Sequence, residues 1–334
     1  MSAQPPTPIV LKSDRLTVEI APPGTAYART RFDWTGFITQ VTLDDARTGD
    51  VRHTFCVPED PDPAKGTGGI GLCGEFGIEQ AIGYDDAQPG ECFPKLGIGL
   101  LRRADERPYT FMHPYEIVER FPIRVETTEN QARFIVEPVE CRGYAARLTK
   151  TITVSNAAID YVEDLECRGD RPIRTTKYVH NFCGIDGHLM GPDYLLRFPY
   201  PVRFEALPPA MLRGALPGWL GKLLPDALLA PVARRLMRRM GQILVVQGRE
   251  ITLRETPQHP FYRRLLGYTR SDQPQWELVH TPSGVGMREI DDFAPNRVAL
   301  WGTTHVISAE VFCPIDVQVG ETQTWTRRYE FWDE

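Results

Sequence analysis

L-W-G-T-T-H-V-I-S-A-E-V-F-C-P-I-D-V-Q-V-G-E-T-Q-T-W-T-R-R-Y-E-F-W-D-E, residues Leu300–Glu334, is the stretch that decides the fold. From Val306 to Val319 it is rich in β-branched and aromatic residues, which suit a pleated strand. Gly320-Glu321 is a turn signal. From Thr322 to Phe331 the residues alternate. Thr322, Thr324, Thr326 and Arg328 take one face; Trp325, Arg327, Tyr329 and Phe331 take the other. The reading is a strand, a tight turn and a closing strand, together a hairpin. Glu310 lies inside the first strand, between Ala309 and Val311. A carboxylate among such neighbours is either paired, with Arg297 or Arg327 as partner, or employed in chemistry.

Working outward, the same signal recurs. Gln275–His280, Val285–Ile290 and Arg297–Phe312 are expected strands ahead of the closing pair. Tyr109–Arg124, Ala132–Val139, Ala145–Val154, Asp160–Cys167, Ile173–Phe182 and Tyr194–Phe204 follow one another at the spacing of antiparallel all-β folds. Nearer the start, Ile9–Ile20 reads as two short strands about Ser13-Asp14. Ala28–Leu43 reads as two strands about Thr35-Gly36, and Val51–Cys56 as one more. Asp60–Gly99 is rich in Gly and Pro and reads as a loop lining a site. It lacks G-x-x-x-x-G-K-[ST], so it is no phosphate loop. Leu207–Gly241 is the exception. Leu229, Val232, Ala233, Leu236, Met237 and Met240 recur at helical steps, with Arg234, Arg235, Arg238 and Arg239 opposite. This predicts a helical insertion at 207–241, serving as a flap or as a contact between subunits of a homo-oligomer or, in a sharper reading, as an amphipathic element touching anionic lipid.

The expected architecture is therefore all-β: one large antiparallel sandwich domain over residues 1–334 with that insertion. The chain has 334 residues, a net charge of −6 and 25 % charged residues. No basic surplus supports nucleic-acid binding. Seven cysteines, an odd number with no C-x-x-C pair, argue against a disulfide framework and a zinc ribbon. The histidines, His53, His113, His180, His188 and His305 among them, show no metal-ligand spacing, so neither metal nor cofactor is expected. The first residues lack the pattern of a secretory signal, and no run of 18 apolar residues is present. These features lead to an expectation of a cytoplasmic protein without stable membrane insertion.

Two further segments stand out beside Glu310. Thr176, Tyr178 and His180 alternate onto one face of a strand, with Asn181 following. Gly74-Glu75-Phe76-Gly77 precedes Gly90-Glu91-Cys92-Phe93-Pro94-Lys95. With R-F-D-W-T-G-F-I at Arg31–Ile38, G-P-D-Y-L-L-R-F-P ending at Pro199, and the closing stretch, these motifs resemble the galactose mutarotase-like superfamily and its aldose 1-epimerases. The resemblance covers most of the chain outside the insertion. It implies a β-supersandwich with an open carbohydrate-binding face and a small-molecule sugar as substrate. In aldose 1-epimerases a strand histidine is the general acid and a late-strand glutamate the general base; these match His180 and Glu310. The early N-R-I and H-G-G segments of those enzymes are absent, and the Gly74–Lys95 region stands in their place. Glu75, Lys95, Arg31 and His53 are then expected to meet the far end of the sugar. Tyr178 and Asn181 are expected at its side, with Trp276 and Trp301 either stacking on it or filling the core. The same fold also carries lyases, epimerases of modified sugars and non-catalytic carbohydrate-binding domains.

Overall fold

A computed structural model describes residues 7–45, 51–62, 68–205, 243–269 and 275–333. The described strands are, in chain order, β1 (Ile9–Lys12), β2 (Leu16–Ala21), β3 (Phe37–Asp44), β4 (Arg52–Thr54), β5 (Gly71–Phe76), β6 (Cys92–Lys95), β7 (Gly99–Arg102) and β8 (Ile117–Arg120). There follow β9 (Ile123–Thr127), β10 (Gln131–Val136), β11 (Ala146–Ser155), β12 (Ala158–Cys167), β13 (Ile173–Phe182), β14 (Tyr194–Arg197), β15 (Arg203–Phe204) and β16 (Leu244–Gln247). The last are β17 (Glu250–Leu253), β18 (Phe261–Leu266), β19 (Gln275–His280), β20 (Gly286–Asp291), β21 (Arg297–Gly302), β22 (Ile307–Val317) and β23 (Thr322–Trp332). The helical insertion expected at 207–241 lies outside the described residues.

Two ten-stranded sheets result. The first runs β1-β2-β3-β5-β13-β22-β21-β18-β15, with β4 beside β3; the second runs β16-β17-β14-β19-β20-β23-β12-β11-β10-β9. The ladders that build them are antiparallel. The inward faces of both meet in one core. Val18, Val41, Leu72 and Val179 come from the first sheet; Ile152, Tyr161, Leu278 and Tyr329 come from the second. A small sheet, β6-β7-β8, joins a second apolar cluster in which Phe93 and Leu101 sit with Phe32, Trp34, Cys73 and Phe182. Cys73 and Phe182 belong to the first sheet's other face, which is therefore covered rather than bare.

The alternation in the closing stretch is as expected: Trp325, Arg327, Tyr329 and Phe331 are buried. The hairpin is not. β22 pairs with β13 and β21, whereas β23 pairs with β12 and β20. The turn at Gly320, whose φ of 78° suits glycine, carries the chain from one sheet to the other. Both flanking strands are buried on the core side, so each can find its partners in a different layer.

Two other expectations need correction. The segment 28–33 is no strand; it crosses over β5, held by Asp33 N–H donating to Gly74 O (2.9 Å) and Arg31 N–H to the Tyr27 hydroxyl (3.0 Å). Asp60–Gly99 is not all loop, for it contains β5, a central strand of the first sheet, and β6. Gly71 begins β5 with φ 62°, and a Cβ there would sit 2.1 Å from Ile38 O. Gly74 faces the core, where a Cβ would lie 3.2 Å from Lys177 Nζ and 3.9 Å from Lys150 Nζ. The glycines serve close approach, not a turn.

Those two lysines belong to a buried charge cluster between the sheets. Lys150 contacts Asp33 and Lys177 contacts Glu163, while Lys150 also stands 3.5 Å from Glu163. Two lysines thus face two carboxylates, and burial lowers the pKa of the Lys177 ammonium to about 7. Glu163 takes a further hydrogen bond from Trp325 Nε1 (3.2 Å). Asp33 Oδ1 accepts from Thr35 N–H (2.8 Å) and its hydroxyl (2.7 Å), which fixes the segment that carries Arg31.

Candidate active site

The ladder between β13 and β22 has a gap. It runs from Ile173↔Val317 to Lys177↔Cys313 and resumes only at the isolated bridge Cys183↔Ile307. The register is the same on both sides of the gap, and carried through it sets His180 opposite Glu310. The two strands remain paired on their outer edges. Lys177–Phe182 pair with Phe76–Gly71 of β5, and Ile307–Phe312 with Gly302–Arg297 of β21. The gap is thus a seam within the first sheet. Across it His180 Nε2 stands 3.3 Å from Glu310 Oε1.

The two groups are almost enclosed, at 2 % and 3 % exposure. The His180 ring stacks on Phe182 (3.9 Å, 11°) and meets Trp301 edge-on (5.0 Å). Ala299, the β21 residue facing Glu310, is small and leaves room for the carboxyl group. Neither arginine proposed as a partner pairs with Glu310. Arg297 lies 3.6 Å over the Phe312 ring and binds Glu79, and Arg327 binds Asp291 and Glu289. Burial pushes the Glu310 carboxyl up to about 8, against a smaller downward pull from Arg31. Burial also pulls His180 well below the usual imidazole value, with Arg31 adding to the effect. At neutral pH the pair then holds one proton, on Glu310, beside a neutral imidazole.

Next to the pair is a second group. Arg31 Nε donates to Glu75 Oε2 (2.9 Å) and Arg31 Nη2 to the Tyr178 hydroxyl (3.1 Å), which itself donates to Glu75 Oε2 (2.5 Å). The guanidinium lies between the rings of Phe32 (4.4 Å) and Phe111 (4.6 Å). Tyr178 stacks on Phe312 at 4.4 Å. Lys95 Nζ donates to Phe76 O (2.6 Å) and the Tyr109 hydroxyl (2.9 Å), and burial lowers its pKa to about 8. Two buried polar atoms here, His180 Nδ1 and Glu75 Oε1, have no hydrogen-bond partner among the described residues. Such atoms are rare in folded proteins, although others, such as Trp276 Nε1, lie away from this group.

Of the residues singled out from sequence, His180, Glu310, Arg31, Glu75, Tyr178 and Trp301 come together, with Lys95 at the edge. Three do not join them. Asn181 points to the opposite face, into the space between the sheets, as the alternation along β13 requires. Trp276 is 1 % exposed in the main core, on the second sheet. His53 lies at the β3–β4 edge, where its Nδ1 meets Asp186 (2.8 Å). Asp45, His53 and Asp333 bring three potential ligand atoms within 4.8 Å of one another, but Arg15 already pairs with Asp333. Sequence reasoning missed Phe32 and Phe111, which clasp Arg31, and Phe182, on which His180 stacks. Phe182 was within reach, since it continues the alternation Tyr178, His180. Cavities of about 580 Å³ and about 310 Å³ share Glu79 and Thr176 as lining residues; neither is lined by His180 or Glu310. No helix among the described residues is long and apolar enough to cross a membrane.

No protein-family model matches the chain, and no curated protein matches it in sequence. Solved structures do match in shape. A galactose mutarotase related enzyme from Lactobacillus acidophilus superposes with a TM-score of 0.55 at 9 % identity, covering 98 % of this chain and 97 % of that one. The GalM/aldose epimerase homologue from C. elegans gives 0.55 at 10 % identity, covering 98 % of each. A galactose mutarotase-like protein from Clostridium acetobutylicum gives 0.54 at 8 %, covering 98 % and 95 %. Identities this low speak to the fold alone, but they do so over nearly the whole length of both partners. The chain therefore has the galactose mutarotase-like fold.

Proposed function

We propose that this protein interconverts the anomers of a sugar by acid–base ring opening at His180 and Glu310. One observation carries the reading: the two groups face each other at 3.3 Å across a seam in the central sheet. Burial, which favours the neutral form of each group, supports Glu310 as the starting acid. Glu310, protonated at neutral pH, gives its proton to the ring oxygen, while the neutral His180 takes the proton of the anomeric hydroxyl. The ring bond breaks and an open-chain aldehyde forms. After rotation about the first carbon–carbon bond, the hydroxyl attacks the other face of the carbonyl. Glu310 now recovers its proton and the imidazolium returns the other. Both residues end as they began, so each acts as acid and as base within one turnover. The starting roles are the reverse of those implied by the resemblance to aldose 1-epimerases, and burial is the cause.

Arg31, Glu75 and Tyr178 offer a donor–acceptor array for sugar hydroxyls, and Trp301 an apolar edge. Since both reacting groups are buried, a sugar reaches them only when part of the wall moves. Arg31, Phe111, Trp301 and Tyr262 are half-buried parts of that wall. The test is anomer exchange by NMR over a panel of aldoses, uronates and sugar phosphates. The wild type should speed exchange of at least one, and His180→Asn should slow it by at least about 10²-fold, the usual worth of one acid–base group. A wild type that binds a sugar yet never speeds its exchange would refute the mutarotase reading.

A further inference from the structure

The seam that separates His180 from Glu310 is not empty. Asn181, the residue after His180, sends its side chain into it from the core side. Asn181 Nδ2 donates to Ala309 O (2.7 Å), the carbonyl of the peptide that leads into Glu310. The backbone N–H of Asn181 donates to Ser308 Oγ (3.0 Å). These two side-chain bonds span the gap where ladder pairing is interrupted between Lys177↔Cys313 and Cys183↔Ile307. The same asparagine is anchored from behind. Its Nδ2 also donates to Glu289 Oε2 (2.8 Å), and its Oδ1 accepts from the Tyr329 hydroxyl (3.0 Å). Glu289 in turn lies 3.5 Å from Arg327, which is fixed by Asp291 (2.6 Å). All of these side chains are buried.

We infer that Asn181 is a positioning residue: bridging the seam with Ser308, it sets the separation of His180 and Glu310 without touching the substrate. The inference rests on the proposed acid–base role of that pair. An ordinary ladder would fix the spacing of opposed residues by backbone geometry alone. Here the backbones are ladder-paired only at the two ends of the gap, so between those ends the spacing rests on the length and rigidity of one amide side chain and one hydroxyl. Asparagine is suited to the task because it donates toward Ala309 and Glu289 while accepting from Tyr329. An aspartate would lose both donations and bring a charge next to Glu289.

The test compares wild type with Asn181→Ala, Ser308→Ala and Tyr329→Phe. Asn181→Ala and Ser308→Ala each remove a tie across the seam. Tyr329→Phe removes a bond of the same network but leaves both ties in place. Histidine-labelled proteins are titrated by NMR through the ring nitrogens of His180, and anomer exchange is followed in parallel. If the inference holds, both seam variants move the His180 titration by at least one pH unit toward the ordinary imidazole value. They also lower kcat at least tenfold with KM within threefold, and Tyr329→Phe does neither, although its melting point falls. The inference is overturned if the seam variants titrate as wild type does, or if Tyr329→Phe shifts His180 as far as they do. Should Asn181→Ala not fold, Ser308→Ala, which removes a single oxygen, decides the matter. If the seam variants shift His180 but no protein, wild type included, speeds anomer exchange, the positioning stands and the proposed reaction falls.

Discussion

Glu310→Gln should inactivate the protein and also stabilise it. A carboxyl that ordinarily titrates at 4.5 is held at about 8 by burial, with Arg31 opposing, Glu75 adding and Arg297 opposing. At roughly 1.4 kcal/mol per pH unit, this places about 5 kcal/mol of penalty on the ionised form in the folded state. The sign follows from proton counting. Between pH 4.5 and about 8 the folded chain keeps a proton on Glu310 that the unfolded chain has released. The Glu310 contribution to wild-type stability therefore falls as pH rises through this window and is flat on either side of it. Glutamine resembles the protonated acid in shape and can set its amide where the acid stands, 3.3 Å from His180 Nε2. It carries no titration. The variant should match the wild type near pH 4, then gain about 1.4 kcal/mol per pH unit, reaching about 3 kcal/mol at pH 7. With an unfolding entropy of roughly 0.7 kcal/mol/K for a chain this long, that is about 4 °C in Tm. The assay is urea denaturation of both proteins at half-unit steps from pH 4.5 to 8.5. His180 titrates in both, so the difference between them isolates Glu310. A flat difference across the window, or a variant less stable at every pH, would mean that Glu310 is ionised in the folded protein, and the one-proton account of the pair would fail.

The rate of anomer exchange should hold steady through neutral pH and decline above about 8 as Glu310 loses its proton; a rate that instead rises across pH 8 contradicts the assigned starting roles. Lys150→Met strands the buried Asp33 carboxylate without its cation and should cost about 3–5 kcal/mol, read from the same urea titration. An unchanged midpoint would show that the cluster does not support the fold. Gly71→Ala pushes a Cβ against Ile38 O from a left-handed backbone and should destabilise β5 by about 2 kcal/mol or more, within the range for strain at a special backbone position. Circular dichroism melts that superpose on wild type would show that the strand shifts to accept it.

Much of the fold was legible because one period dominates. From Ala145 to Phe182, alternation placed three long strands within a residue or two of their observed ends. It could not say which sheet each strand joins. β22 and β23 look like a hairpin because a turn of a few residues serves equally to fold a strand back or to pass it between layers. β5 was hidden for another reason. Its glycines are there for Ile38 O and for two lysine side chains, and a run of glycine reads as loop when those neighbours are unknown. At the site, Tyr178 and His180 were legible as polar residues on one strand face and Glu310 as a carboxylate inside an apolar strand, while their meeting was implied by the resemblance alone. Asn181 was misjudged although its parity already set it on the opposite face. Trp276 was left open between sugar and core, and the alternation within β19 does not show which side of its sheet meets the other. Phe111 falls within the expected strand Tyr109–Arg124, but it lies in the connection between β7 and β8, and strand begins only at Ile117.

The seam in the first sheet also divides its local stability. On one side β1, β2, β3, β5 and β13 form a continuous panel; on the other β22, β21, β18 and β15 form a second. Five ladder pairs join the panels at one end and a single bridge at the other. Sub-global opening follows the boundaries where cooperative contacts are fewest. Alternate amides of 178–182 and 308–312 point to β5 and β21 and keep those partners when the seam parts, so hydrogen exchange at them reports on each panel separately, whereas the Asn181 N–H crosses the seam to Ser308 Oγ. The bridge at Cys183 and Ile307 is the weak end. A sheet built in this way can part at that end, as a book opens from its free edge, while its spine at residues 173–177 stays closed. The acid–base pair lies between the two.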